Sequence, residues 1–233
     1  MVTSGAARRP AGETALPRAA LPALVAAWLA AVFGGAGTLR WTAGWAYVIA
    51  LSAGLLLHRS YVARRNAALL ARRGSVGRGT ARWDLFWVAV FWPLMLLVPL
   101  VAGVELVRRG REALPAPFAP AGFVLSGAGL LLSAWAMGSN PFFEGTVRLQ
   151  PGQTVVDAGP YRIVRHPGYL GLALWALGTP AFLRSRWAFA PAVLCAAWVA
   201  LRTALEDRML RRELTGYDAY AARVRWRLVP GLF

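Results

Sequence analysis

The sequence predicts an all-α integral membrane protein, a bundle of five to six transmembrane helices, and three observations carry that prediction. The chain of 233 residues is 58% hydrophobic with a mean hydropathy of +0.47, above the range of ordinary soluble domains. Apolar runs recur at Leu21–Gly37, Trp41–Leu57, Trp83–Val104, Pro117–Met137, Tyr169–Leu183 and Trp187–Leu201, against the roughly 20 apolar residues that a span needs. All 26 basic residues are Arg. They gather at the ends of these runs, which is how orientation is set in a membrane.

Residues 1–18 are rich in Ala, Pro, Arg and Gly and lack periodicity, which predicts a disordered tail. Residues 19–137 read as the N-terminal transmembrane helices, the first of them a retained span and not a cleaved leader, because five more apolar runs follow. The segment after the second run carries Arg59, Arg64, Arg65, Arg72, Arg73, Arg78 and Arg82 and is expected inside. With six spans, the N-terminus, the 159–169 loop and the C-terminal tail are then inside too, while Arg108, Arg109 and Arg111 fall outside against the rule. Gly127-Ala128-Gly129 in the fourth run reads as close helix packing. The last two runs are short and are separated by Arg184-Ser185-Arg186, so they read as a tight helical hairpin within one integrated unit spanning 138–233. The single cysteine, Cys195, lies in an apolar run and reads as a buried packing residue.

A net charge of +16 would suit nucleic acid, but its distribution at the ends of apolar runs fits membrane topology better. The sequence has no Gly-rich dinucleotide fingerprint after a strand, no P-loop, no Gly-x-Ser-x-Gly elbow and no zinc-type Cys/His spacing. Metal and acyl-enzyme chemistry therefore have no support, and any cofactor must be held by the polar segments bordering the bundle.

Two such segments stand out. Residues 140–169 form a stretch too long for a simple connector, punctuated by Gly145, Pro151, Gly152 and Gly159, with a short extended patch at Val155-Val156. It ends in Gly159-Pro160-Tyr161-Arg162-Ile163-Val164-Arg165-His166-Pro167-Gly168-Tyr169, where the two prolines fix φ and bias their predecessors away from helix. Irregular backbone at membrane depth is tolerated only where it is buried or lines a wet cavity, so the cluster around His166 reads as a site. The second segment places Arg202 and Glu206 four apart, on one helical face. Ionisable residues at membrane depth are functional candidates. Asp207, Arg208, Arg211, Arg212 and Glu213 read as a solvated helix face, and the segment from Gly216 to Gly231 as interfacial.

On these motifs the chain resembles the isoprenylcysteine carboxyl methyltransferase family and its bacterial membrane relatives. The matching features are the order of motifs from Asn140 to Tyr169, then Arg202 with Glu206 and Gly216-Tyr217-Asp218-Ala219-Tyr220, and the closing Val229-Pro230-Gly231. The resemblance implies a cofactor pocket at the cytoplasmic end of the bundle, formed by a loop and the C-terminal helices, and S-adenosylmethionine as methyl donor. It implies cofactor contacts at Gln150, Gln153, Thr154, Val155, Val156, Tyr161, His166, Pro167, Gly168, Tyr169 and Glu206, and Arg165 beside His166 suits the cofactor's carboxylate. Arg202 matches the family's acceptor-side arginine, so the catalytic pair is Arg202 and Glu206. Gln153 stands where the family usually has His; it donates and accepts hydrogen bonds but carries no charge.

The implied acceptor is lipophilic, a small molecule or lipid-linked group entering from the bilayer, with a carboxylate as the namesake acceptor. A carboxylate nucleophile needs no base, whereas an amine or thiol acceptor would call on Glu206 or His166. The implied location is the bacterial inner membrane with the site facing the cytoplasm, and neither nucleic acid nor metal is expected. Other readings are a phospholipid or thiol methyltransferase, an NADPH-dependent sterol-type reductase with a similar Arg-His-Pro-x-Tyr loop, and a membrane scaffold without activity.

Overall fold

The structure, a computed structural model, describes residues 20–72 and 80–233. The expected tail at 1–18, and Arg73 and Arg78 of the basic segment, lie outside the described residues. Among the described residues the chain runs through α1 (Ala20–Ala36), α2 (Thr42–Arg65), α3 (Ala67–Arg72), α4 (Arg82–Arg109) and α5 (Phe118–Ser139). A one-turn 3-10 helix at Gly159–Arg162 follows, then α6 (Pro167–Phe182), α7 (Phe189–Glu213) and α8 (Tyr217–Arg223), with no strand.

The protein is an all-α integral membrane protein. Four helices, α2, α4, α5 and α7, are long and apolar enough to cross a bilayer, and the apolar part of α1, Ala26–Ala36, is shorter. Helix α6 has 16 residues, about 24 Å at 1.5 Å per residue. The expected hairpin is asymmetric: α7 runs on for 25 residues and, as expected, carries the polar face at 202–213 in the same helix as the apolar run.

The interior is filled by Trp28, Val32, Tyr47, Phe91, Met95, Cys195 and Val199, all buried, while Leu56, Leu57, Val124 and Leu131 point outward as a lipid-facing wall requires. Cys195 is the buried packing residue expected of it. Helices α5 and α6 meet backbone to backbone. A Cβ at Gly129 would lie 2.5 Å from the Gly171 carbonyl oxygen, and one at Gly171 would lie 2.5 Å from that of Gly129. Gly127 is different, because a Cβ there meets nothing within 4 Å; only half of the Gly-Ala-Gly motif makes the close approach. Gly129→Val should therefore destabilise by about 1–3 kcal/mol through overpacking, read as a lower melting temperature in detergent. Gly127→Ala should leave that temperature unchanged or raise it slightly, since Ala is the better helix former.

The two ends of the bundle are tied differently. At one end, Asn66 donates through Nδ2 to the Met137 and Asn140 carbonyls, both at 3.0 Å, and so satisfies backbone acceptors left open where α5 stops. At the other, the buried Glu105 carboxylate accepts from Ser185 Oγ at 2.6 Å and from the Trp187 amide at 3.0 Å, capping the turn into α7. Arg64 and Arg65 lie at the first end, beside the 140–169 segment; Arg40, Arg108, Arg109, Arg111, Arg184 and Arg186 lie at the second.

Candidate active site

The 140–169 segment folds over the end of the bundle as a loop held by its own amides. Gln150 donates through Nε2 to the Phe142 carbonyl at 2.7 Å, and its amide donates to Gln153 Oε1 at 2.9 Å. Asn140 donates to the Tyr161 hydroxyl at 3.2 Å. The loop closes with His166 capping α6 and Pro167 in the first turn, where a missing N–H costs nothing. A second layer comes from the C-terminal residues: the Arg165 and His166 amides donate to the Trp226 and Arg227 carbonyls, each at 2.9 Å. Gly216 starts α8 with φ at +83°, a left-handed conformation that favours glycine, and α8 then presents Tyr217 and Tyr220 to the loop.

Between loop, α6, α7 and α8 lies a narrow cleft of about 100 Å³. It brings together most of the residues anticipated from sequence: Gln153, Thr154, Val155, Val156, Tyr161, Arg165, His166, Gly168, Tyr169 and Glu206. Gln150, Pro167 and Arg202 are not on its wall. Gln150 is a buried loop brace and Pro167 starts the helix beneath. The structure adds Asn140, Phe142, Phe143, Glu144, Arg148, Met209, Leu210, Leu214, Tyr217 and Tyr220 to the lining. The two tyrosines belong to the motif at Gly216–Tyr220, so the signal for them was present in the sequence.

Asp207 overturns an expectation. It is fully buried, not on a solvated face, and it is the hub of the site's second layer. Arg165 Nε donates to its Oδ1 at 2.8 Å, Tyr217 donates to the same oxygen at 3.0 Å, and Arg227 Nε donates to Oδ2 at 3.0 Å. Arg211 reaches Oδ2 at 3.3 Å, and the His166 Nε2 atom lies 3.5 Å from Oδ1. Arg208, Arg211, Arg212 and Glu213 remain exposed as expected. The reason is tertiary: α8 and residues 224–233 fold back over one face of α7, and Asp207 lies under them.

Arg165 is thereby engaged. Besides Asp207 it donates through Nη1 to the Ala221, Val224 and Arg225 carbonyls, at 3.3, 2.8 and 3.0 Å, satisfying acceptors at the C-terminal end of α8. His166 is buried beside it. Its ring stacks on Tyr169 with planes 7° apart, and Nε2 sits 3.3 Å from the Tyr217 hydroxyl.

Arg202 and Glu206 share a helix face without pairing. Glu206 accepts the Tyr169 hydroxyl hydrogen and lines the cleft. Arg202 sits one turn deeper, buried, with Nε 2.8 Å from Asp84 Oδ1 on α4. Its guanidinium carbon is 4.2 Å from the Trp87 ring centroid and 5.1 Å from that of Tyr169. Glu144 is the other cleft carboxylate, already bound by Arg148 at 2.7 and 2.9 Å. Burial pushes the Tyr161, Tyr217 and Tyr220 hydroxyls above their ordinary range, with Asp207 raising Tyr217 further. All three stay protonated at neutral pH, and their contribution to stability is complete below about pH 10 and declines above it. No group of three or more His, Cys, Asp or Glu side chains suited to a metal occurs among the described residues.

This loop, cleft and helix pair fall in a segment with a known counterpart: residues 121–212 match the model of the isoprenylcysteine carboxyl methyltransferase (ICMT) family. The similarity covers 92 of the 233 residues. The match runs from α5 through almost all of α7, so it contains the loop, His166, Tyr169, Arg202 and Glu206, and leaves Asp84, Tyr217 and Tyr220 outside. A search of curated proteins gives no match. The chain thus combines four helices long and apolar enough to cross a membrane with a segment similar to the ICMT family.

Proposed function

We propose that the protein transfers the methyl group of S-adenosylmethionine to a lipophilic acceptor, with a carboxylate as the accepting group. The observation that carries this reading is the Glu206 carboxylate, oriented by Tyr169 in a cleft walled by Val155, Val156 and Leu210 and rimmed by protonated tyrosines. A carboxylate facing a mixed apolar and polar cavity suits a cationic ligand with an aromatic base. S-adenosylmethionine supplies a methyl carbon on a sulfonium, so positioning, more than acid–base chemistry, is what the chain contributes.

In that reading Glu206 binds the ammonium or ribose hydroxyls of the donor. His166, whose Nε2 is turned toward Tyr217 and Asp207, holds the carboxylate end. Arg165 acts behind it, by fixing Asp207. Gln153 and Thr154 offer hydrogen bonds from the loop, and Val155, Val156 and Tyr161 flank the base. Arg202 meets the acceptor's charge. Arg64 and Arg65 beside the loop, with the many arginines of α7 and α8, outnumber those at the opposite end, which supports a cytoplasmic cleft by the positive-inside rule. The inner membrane of a bacterium is the location that goes with this reading.

The test is ligand choice. Calorimetry on the protein in detergent should give binding of S-adenosylhomocysteine and none of NADPH. A ligand at 100 times its Kd stabilises by about 2.7 kcal/mol, enough to raise the melting temperature measurably. Binding of NADPH with no response to S-adenosylhomocysteine would replace this reading with the reductase one.

A further inference from the structure

Arg202 does not stand free, and what holds it lies outside the family segment. Asp84, on the first turn of α4, is fully buried. Its Oδ2 accepts from Arg202 Nη2 at 3.1 Å and from the Val147 amide at 2.8 Å, while Nη2 also donates to the Gly145 carbonyl at 3.0 Å. One carboxylate thus grips both an arginine of α7 and the loop that forms the cleft wall.

We infer that Asp84 is a positioning residue for the acceptor: it fixes the Nε and Nη2 edge of Arg202, so that Nη1 is left to receive the acceptor's anionic group. The inference rests on the proposed methyl-transfer reading. Two features carry it beyond a helix staple. First, α4 and α7 are already joined nearby by reciprocal indole bonds, Trp87 Nε1 to the Trp198 carbonyl at 2.7 Å and Trp198 Nε1 to that of Trp87 at 3.1 Å. A buried ion pair added for stability alone gains little, because desolvation offsets most of the attraction. Second, the guanidinium lies against the faces of Trp87 and Tyr169, and Tyr169 is bonded to Glu206. Arg202 is therefore held at one edge and covered by rings: Nη2 is hydrogen-bonded, Nε is in ion-pair contact with Asp84 without a hydrogen bond, and Nη1 has no hydrogen-bond partner among the described residues. Charge-assisted bonds to a carboxylate depend on that fork geometry.

The experiment compares wild type, Asp84→Asn, Arg202→Gln and the double variant in detergent. It uses S-adenosylhomocysteine for donor-site calorimetry, and S-adenosylmethionine with S-farnesyl-N-acetylcysteine, a lipophilic carboxylate, for turnover. Asp84→Asn should bind S-adenosylhomocysteine within about twofold of wild type yet raise KM for the acceptor by about tenfold, equal to about 1.4 kcal/mol. In the Arg202→Gln background the same change should add nothing, because the effect runs through Arg202. Wild-type KM and kcat in Asp84→Asn, or equal penalties from Asp84→Asn with and without Arg202, would overturn the inference. So would a wild type that binds the donor analogue but leaves this acceptor unmethylated. A wild type that fails to bind S-adenosylhomocysteine sinks the underlying reading instead. If Asp84→Asn does not fold, Asp84→Glu keeps the charge and shifts it by one methylene: a raised KM supports the inference, and a wild-type KM overturns it.

Discussion

Replacing Asp207 by Ala is expected to be the most damaging single change in the protein. The side chain is fully buried and is approached by Arg165, Arg211 and Arg227, with Tyr217 and His166 beside them. Its loss leaves the Arg165 guanidinium, itself buried, without a counter-charge. Breaking a buried pair from one side costs about 3–5 kcal/mol, which in a chain of this size lowers the melting temperature by on the order of 10 °C. Affinity for S-adenosylhomocysteine should fall as well, since His166, Tyr217 and the 224–233 segment lose their common anchor. A scanning melt in detergent, with and without S-adenosylhomocysteine, reads both effects. A variant that melts and binds like wild type would show that the arginines reach other acceptors and that the hub is dispensable.

Glu206→Gln should produce the second-largest loss, confined to binding. The substitution keeps size and a hydrogen-bond acceptor for Tyr169 but removes the negative charge. Losing one partner of a desolvated charged contact weakens binding by about 2 kcal/mol or more, about 30-fold in Kd. The control is Glu144→Gln in the same cleft. Glu144 is already neutralised by Arg148, so its loss should change Kd far less. Calorimetric Kd values for the two variants decide the matter: equal effects would mean that the cleft responds to total charge and that Glu206 has no special place.

Much of this site could be read from the chain because its residues lie close together in sequence. The loop at 153–169 announces itself through prolines, glycines and a histidine at the mouth of an apolar run, and Glu206 through its place on a helix that leaves the membrane. Asp84 and Asp207 were not legible, for a shared reason. Each looks like an ordinary acid at a helix end, and each acquires its meaning from arginines that the fold brings over from elsewhere: Arg202 comes to Asp84 from 118 positions away, and Arg165 to Asp207 from 42. A chain with 26 basic and 10 acidic residues must divide few carboxylates among many guanidiniums, and spacing does not tell which pairs form. The seam between α5 and α6 was half legible: Gly129 makes the close approach, and Gly127, two residues back, faces open space.

The shortness of α6 decides how deep the chemistry sits. At about 24 Å, from its 16 residues, it falls about 6 Å short of the roughly 30 Å hydrocarbon layer. At its far end Trp187, 45% exposed, and the neighbouring Arg184 and Arg186 mark the headgroup level. The shortfall is therefore taken up at the other end, where α6 begins with His166, Pro167 and Tyr169. With Trp187 at headgroup level, the floor of the cleft would lie beneath the surface of the leaflet, as a well sunk into the oil. On the proposed reading, a greasy acceptor anchored in the bilayer would meet the site at its own level, without being lifted into water, and only the polar methyl donor would have to come down from above.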